Sequence, residues 1–353
     1  MGKMDFTKFP EFDNHELVVF AFDETSGLRS FIAIHNTVLG PAVGGTRYWH
    51  YGSEKEALRD ALRLSKAMTY KCAIVGLRYG GGKGVIIANT YNPKKKKFLI
   101  AYAKKVNFLS GHFYTGEDVG LTTEHVNILA KNSRYIIGRE HLAGNPSPWA
   151  ALGVFYAIRA ALEEVYGSAE MNGRKFAIKG IGKVGGTLLR LLYERGGKIV
   201  VADIDHRKTK MAKQHFPKIR VVSPNEIHRE RVDVFAPCAL GGDLNEETVP
   251  QLRCHIVCGG ANNQLAAAED GVRLQRAGIL YVPDYVANAG GLINVVAELD
   301  PKGYSRKRVR NRVERIQKIA KKIIELSRKT KKPANEVADE LAERVFKSRM
   351  RKR

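Results

Sequence analysis

The sequence is poor in cysteine, with four in 353 residues. So few, spread so widely, make no disulfide framework. Cys254, His255 and Cys258 fall close together, yet no second ligand pair stands at zinc spacing. The segment Cys254-His-Ile-Val-Cys258 reads instead as a buried strand carrying core cysteines. There is no apolar run of the ~18 residues that a membrane span needs. Met1 to Glu16 mixes Asp, Glu, Lys and Pro with no apolar centre, which argues against a secretory leader and for the cytoplasm. No internal repeat is visible, and low complexity is confined to Lys94–Lys97. Acidic residues are scarce: 36 against 59 Lys and Arg, a net charge of +23.

The length suggests two domains, and 44% hydrophobic residues are enough for real cores. The charge is concentrated at the end. From Lys302 to Arg353 there are 20 Lys/Arg against 6 Asp/Glu. Such a block suits RNA or an anionic surface. The same stretch also carries Val309, Val313, Ile316, Ala320 and Ile323, then Val337, Leu341 and Val345. That spacing predicts amphipathic helices with a solvated basic face, the reading preferred here.

Leu17–Phe22 and Phe31–Ile34 read as strands around a turn at Thr25-Ser-Gly27. Ser53 with Glu56 forms a capping box for a helix through Ala57, Ala61, Leu64 and Met68. Gly144-Asn-Pro-Ser-Pro148 marks a boundary, because two prolines interrupt regular structure. A helix follows over Ala150–Val165. Short strands are expected at Val232–Phe235, His255–Val257 and Ile279–Val282.

Between them lies a unit with a mechanism. The strand Lys175–Lys179 leads into Gly180-Ile-Gly182-Lys-Val-Gly185, then a helix over Thr187–Glu194 and a strand over Lys198–Ala202 ending at Asp203. G-x-G-x-x-G alone is weak, but here every part of a dinucleotide fingerprint stands in order. Gly180 permits the turn, Gly182 admits the pyrophosphate to the helix N-terminus, and Gly185 lets helix and sheet pack. Asp203 suits ribose hydroxyls and favours NAD over NADP, though Arg207 and Lys208 nearby blunt that preference.

Two lysines are misplaced for a soluble protein. Lys71 lies seven residues after Leu64, about 20° away around a helix, and so continues the buried stripe. The alternative is that the helix ends at Thr69 and Lys71 meets water. Lys83 follows three glycines and precedes the apolar run Val85–Ala88. Glycines before a buried strand are sensible where backbone must lie against a ligand. Burial and a neighbouring cation would lower the Lys83 pKa and make it a general base. Glu117 and Asp118 are two further carboxylates, either of them a proton carrier or a surface charge. Gly259–Gln264 and Asn288–Gly291 set amides among small residues.

Together these residues resemble the Glu/Leu/Phe/Val dehydrogenase family, most of all its leucine and phenylalanine branches. The resemblance runs from about Leu17 to Val345. It is carried by Leu39–Gly45, Ala57–Ser65, Met68–Lys71, Gly80–Lys83, Glu117–Val119, Pro237–Leu240 and Pro283–Tyr285. It implies an α/β protein of two domains. An N-terminal α/β substrate and oligomerisation domain spans 1–143, with a C-terminal helix of about 329–353 packing back on it. A Rossmann-type doubly wound NAD-binding domain spans 144–328.

The implied activity is reversible, NAD-dependent oxidative deamination of an apolar L-amino acid by a homo-oligomer, from dimer to octamer. Lys71 would hold the substrate carboxylate, Lys83 activate water and Asp118 shuttle protons. Gly44 and Gly45 would line the cleft, while Asn262 and Asn288 position the nicotinamide ribose and substrate. Gly180, Gly182, Lys183, Val184, Gly185, Asp203 and Ala239 would meet the cofactor. Val43, Gly116, Leu292 and Val295 would form an uncharged side-chain pocket. Gly116 and Val43 are smaller than the residues common there, which leans toward a bulky substrate. The chain departs from the family at Trp149-Ala150, where Val-Thr is usual, at Lys183, where asparagine is usual, and in its charge. A nucleic-acid or anionic-surface binder on this fold is the alternative that the basic C-terminus suggests.

Overall fold

The structure, a computed structural model, describes residues 5–88 and 95–350. Lys94 of the lysine run, the start of the N-terminal segment and the end of the expected last helix lie outside the described residues. Among the described residues no helix is long and apolar enough to cross a membrane. The chain divides into two compact units. One comprises Met1–Asn145, Val295–Tyr304 and Ala342–Arg353; the other comprises Pro146–Asn294 and Ser305–Leu341.

The first unit is a mixed sheet between helices. Its elements are β1 (Leu17–Asp23), β2 (Leu28–Asn36), β3 (Ala42–Val43), β4 (Thr46–Trp49), α1 (Glu54–Ile74), β5 (Gly80–Ile87), α2 (Lys95–Phe108), β6 (Phe113–Tyr114) and α3 (Thr123–Asn132). The strands run in the order β1-β2-β5-β3-β6, with β4 also paired to β5. Strand periodicity explains the layers. Phe31 and Ala33 of β2 pack with Ala57, Leu58, Ala61 and Leu62 of α1. Ile32 and Ile34 face the other way, into a core with Leu99, Tyr102 and Val106 of α2 and Val126 and Leu129 of α3. Each of the buried Phe, Leu, Ile and Val side chains contributes about 1.5–3 kcal/mol.

Two local features differ from expectation. At the start of α1, Ser53 accepts from the Glu56 N–H as a cap should, but the Glu56 carboxylate reaches back to the Gly52 N–H at 3.0 Å. The three glycines do not precede β5; they lie inside it. A Cβ at Gly80 would strike the Asn36 carbonyl, one at Gly81 would strike Thr69 of α1, and one at Gly82 would lie 2.7 Å from the Phe113 ring. The protein's own backbone and side chains need that space.

Glu298 was not singled out by sequence. Its side chain is fully buried. One oxygen accepts from the N–H groups of Gly138, Arg139 and Ala143 at 3.1, 2.9 and 3.0 Å. The other accepts from Arg139 Nε at 3.1 Å.

The second unit holds α4 (Ser147–Tyr166), β7 (Lys175–Lys179), α5 (Lys183–Tyr193), β8 (Lys198–Ala202), α6 (His206–His215), β9 (Arg220–Val221), β10 (Val234–Pro237), β11 (Ile256–Val257), α7 (Glu269–Arg276), β12 (Leu280–Tyr281), α8 (Asp284–Ala287) and α9 (Gly290–Val296), whose last residues belong to the first unit. Its strands are all parallel, in the order β12-β11-β10-β7-β8-β9. This is the Rossmann order, and its direction reverses between β7 and β10. The two prolines start a helix where interruption was expected. Pro148 sits in the first turn of α4, where a missing N–H costs nothing, and the left-handed Gly167 ends it. His255 stands outside β11 and its ring lies 2.6 Å from the Tyr166 hydroxyl, while Cys254 and Cys258 are buried thiols.

The chain ends in α10 (Arg306–Thr330) and α11 (Ala334–Met350). The expected stripe of α10 is buried from Val309 to Ile323. Its basic face is partly paired: Lys321 meets Glu163 at 2.8 Å and Arg328 meets Glu164 at 3.0 Å. On α11 the buried positions are Val337, Ala338, Ala342 and Phe346, whereas Val345 is exposed. Phe346 takes the inward place because its ring packs edge-on against Tyr70 and His35.

Candidate active site

Lys83 lies on β5, opposite Ala33 of β2, and is 4% exposed. A buried ammonium is costly unless an anion meets it. Asp118 does so, its carboxylate touching Lys83 Nζ. Asp118 follows β6, where Thr46 N donates to the Gly116 carbonyl at 2.9 Å and Gly45 lies against Glu117 and Asp118. A Cβ at Gly45 would come within 2.9 Å of Asp118 Cβ, so the glycine is what lets the aspartate approach. Gly44 is likewise required, by the Gly82 carbonyl. Burial pushes Lys83 down to about 7, helped by the Arg47, Lys71 and Arg63 cations and opposed by Asp60. A lysine in that state exchanges its proton near neutral pH.

Lys71 belongs to α1, which continues to Ile74, so the shorter helix that would have left it in water is not what forms. It is half-buried, one of the cations acting on Lys83. Val43 is fully buried in β3, between Gly81 and Tyr114. At Gly116 the place of a Cβ is already taken by the Ile137 carbonyl oxygen. The glycine therefore adds no room, and the inference of an enlarged pocket loses that support. Val295 faces Gly138, 3.6 Å from where its Cβ would be.

Sequence reasoning missed Arg47 and Asp60. Arg47 NH1 is 2.7 Å from Asp60 Oδ2, and its NH2 is 3.9 Å from Asp118 Oδ1. The only local signal was a charge inside the aromatic strand Thr46-Arg-Tyr-Trp49.

In the second unit the glycine loop lies at the point where strand order reverses. Gly180 has φ +89°, and a Cβ there would be 2.8 Å from Ala239 Cβ, on the loop after β10. Gly185 is held by the Gly180 carbonyl and by Cys238 Cβ at 3.1 Å. Gly182 is different: a Cβ there would meet no protein atom within 4 Å. It is the N-cap of α5 and supplies no capping side chain. Uncapped N–H groups beside unfilled space fit a pyrophosphate. Val184 packs toward Gly260, while Lys183 is exposed. Asp203 accepts from Ile181 N and Asp205 N, both at 2.9 Å. Asn288 is buried and donates to Asn262 Oδ1 at 2.8 Å, so these two residues are brought together. Leu292 is half-buried on α9, and Ala150 lies in the first turns of α4.

The glycines make a separable prediction. Gly182→Ala is expected to keep the thermal midpoint while weakening dinucleotide binding about tenfold or more. Gly185→Ala is expected to cost about 1–3 kcal/mol of stability through overpacking. Thermal melts paired with a fluorescence titration of the dinucleotide check both.

Residues 15–137 match the family described as Glu/Leu/Phe/Val dehydrogenase, dimerisation domain. Residues 148–207 and 201–353 match Glutamate/Leucine/Phenylalanine/Valine dehydrogenase. The chain is 42% identical over 343 residues to leucine dehydrogenase of Geobacillus stearothermophilus, covering 96% of this chain and 93% of that one. It is 41% identical over 319 residues to phenylalanine dehydrogenase of Bacillus thermotolerans, covering 88% and 83%. The crystal structure of L-tryptophan dehydrogenase from Nostoc punctiforme is similar with a TM-score of 0.83 at 41% identity, covering 96% of this chain and 97% of that one. With both units matched along nearly their whole length, the chain belongs to the Glu/Leu/Phe/Val dehydrogenase family.

Proposed function

We propose that this protein catalyses the NAD-dependent oxidative deamination of an apolar L-amino acid to its 2-oxo acid and ammonia. The observation that carries the reading is the buried contact between Lys83 and Asp118 in a member of this family. Lys71, a half-buried cation near the pair, would hold the substrate carboxylate. NAD, when bound, supplies the acceptor for the hydride leaving the substrate α-carbon. Neutral Lys83 would then take a proton from the water that attacks the imine carbon, and Asp118 would carry protons to and from the nitrogen. Asn262 and Asn288 would orient nicotinamide ribose and substrate.

NAD is preferred over NADP because the Asp203 carboxylate would repel a 2′-phosphate. Arg207 is already engaged by Asp205, at 3.0 and 3.1 Å, which removes one cation that would have offset that repulsion. An apolar substrate is favoured by the absence of charge among Val43, Gly116, Leu292 and Val295, and by relatives named for leucine, phenylalanine and tryptophan. We also propose a homo-oligomer formed through the first unit. Its edge strand β1 leaves Leu17, Phe20 and Phe22 exposed, which is costly on an unpaired edge.

The test is NADH or NADPH formation with Leu, Val, Ile, Phe and Trp at alkaline pH, each with both dinucleotides. NAD reduction by one or more is expected. No reduction with any of them rejects the reading.

A further inference from the structure

We propose that Arg47, anchored by Asp60, is the positioning residue of this site: its guanidinium bridges Asp60 and Asp118 and fixes which oxygen of Asp118 meets Lys83. The inference rests on the reading of Lys83 as the base.

The geometry is an alternating chain of charges. Arg63 NH2 stands 3.0 Å from Asp60 Oδ1. Asp60 Oδ2 receives Arg47 NH1 at 2.7 Å and the Tyr51 hydroxyl at 2.6 Å. Arg47 NH2 faces Asp118 Oδ1 at 3.9 Å, and that same oxygen accepts from Val119 N at 2.6 Å. Asp118 Oδ2 is left for Lys83. The planar guanidinium suits this task, because its fork addresses two carboxylates from fixed directions. The other end of the chain is rigid as well. Arg47 lies on β4 opposite Val85 of β5, two residues from Lys83, and Asp60 lies on α1 above it. Asp60 is 13% exposed in its side chain and its carboxyl is held below the ordinary range; burial raises it, but the Tyr51, Arg47 and Arg63 contacts outweigh that.

The arrangement makes Arg47 and Asp60 act on Lys83 with opposite signs. The Arg47 cation favours the neutral amine, and the Asp60 anion favours the ammonium.

The test uses Arg47→Met, Arg47→Lys and Asp60→Asn in the full-length enzyme. The acid limb of kcat/KM reports the free enzyme's base. Arg47→Met should move it up by about one pH unit, so that kcat/KM near pH 7 falls about tenfold and recovers at high pH. Asp60→Asn should move it down. Arg47→Lys should hold the limb in place, because the charge remains, but lower kcat, because an ammonium cannot bridge both carboxylates. The same shifts should appear in an NMR titration of Lys83 in isotope-labelled protein, which needs no turnover. If wild type fails to deaminate any amino acid while the NMR shifts appear with both signs, the functional reading falls and the positioning role stands. If the Lys83 titration is unmoved in Arg47→Met, or moves the same way in both variants, the proposal is overturned.

Discussion

Exchanging Lys83 for methionine is expected to lower kcat about 10³-fold while leaving dinucleotide affinity unchanged. Methionine keeps most of the aliphatic stem, so the buried space beside β5 stays filled and a cavity does not confuse the result. The glycine loop, Asp203 and the Asn262–Asn288 pair all belong to the other unit, which is why cofactor binding should survive. Wild-type activity should rise through pH ~7 as Lys83 loses its proton. The variant should lack that limb. Stability should rise with pH as well, over a wider window. Lys83 titrates near 7 in the folded chain and at its ordinary 10.5 when unfolded. Between those values unfolding takes up a proton, so wild-type stability rises with pH across that window, and the ammonium is most costly below it. Lys83→Met removes the dependence, and urea unfolding at pH 7 and pH 9 should differ less in the variant. Lys71→Ala is the contrast, because losing a carboxylate anchor should raise KM more than it lowers kcat.

Glu298→Ala should destabilise the first unit strongly, by about 3–5 kcal/mol. The carboxylate satisfies three backbone donors and one guanidinium N–H inside the first unit. Removing it leaves the N–H groups of buried Ala143 and half-buried Gly138 and Arg139 without their acceptor. The thermal midpoint should drop by roughly 10 °C for a chain of this size. Glu298→Gln keeps an acceptor oxygen and should cost under half as much. Equal losses in the two variants, or no loss, would show that the buried acceptor is not what holds residues 138–143.

What sequence revealed, and what it hid, follows the range of the interactions. The unit β7, glycine loop, β8 was legible to the residue because strand, turn and acidic terminus lie within one short stretch. The helix between them begins at Lys183, four residues before its expected start. Gly185, expected to let helix and sheet pack, lies inside that helix, where a Cβ would strike the Gly180 carbonyl. Gly80–Gly82 misled for the same reason. Their partners Asn36, Thr69 and Phe113 come from three other elements, so the glycines looked like an opening for a ligand when they are a close packing of strand against helix. Gly116 misled in reverse, its apparent gap being occupied by the Ile137 carbonyl. Arg47 and Glu298 were invisible because the groups they serve are distant in the chain. On α11 the inward stripe is set by Phe346 against Tyr70 and His35, which hydrophobic spacing alone did not separate from Val345.

The vacant surroundings of Gly182 have a bearing on how such a protein changes over time. Gly180 and Gly185 are fixed by the chain's own atoms, so drift at either is punished in folding before any ligand arrives. Gly182 meets no such restraint from the chain, and under the proposed function only the pyrophosphate would supply one. Under that proposal, affinity for the dinucleotide and the durability of the sheet would be entrusted to different glycines of one short loop. A lineage that lost its need for the cofactor would first betray it at residue 182, in a protein that still folded normally.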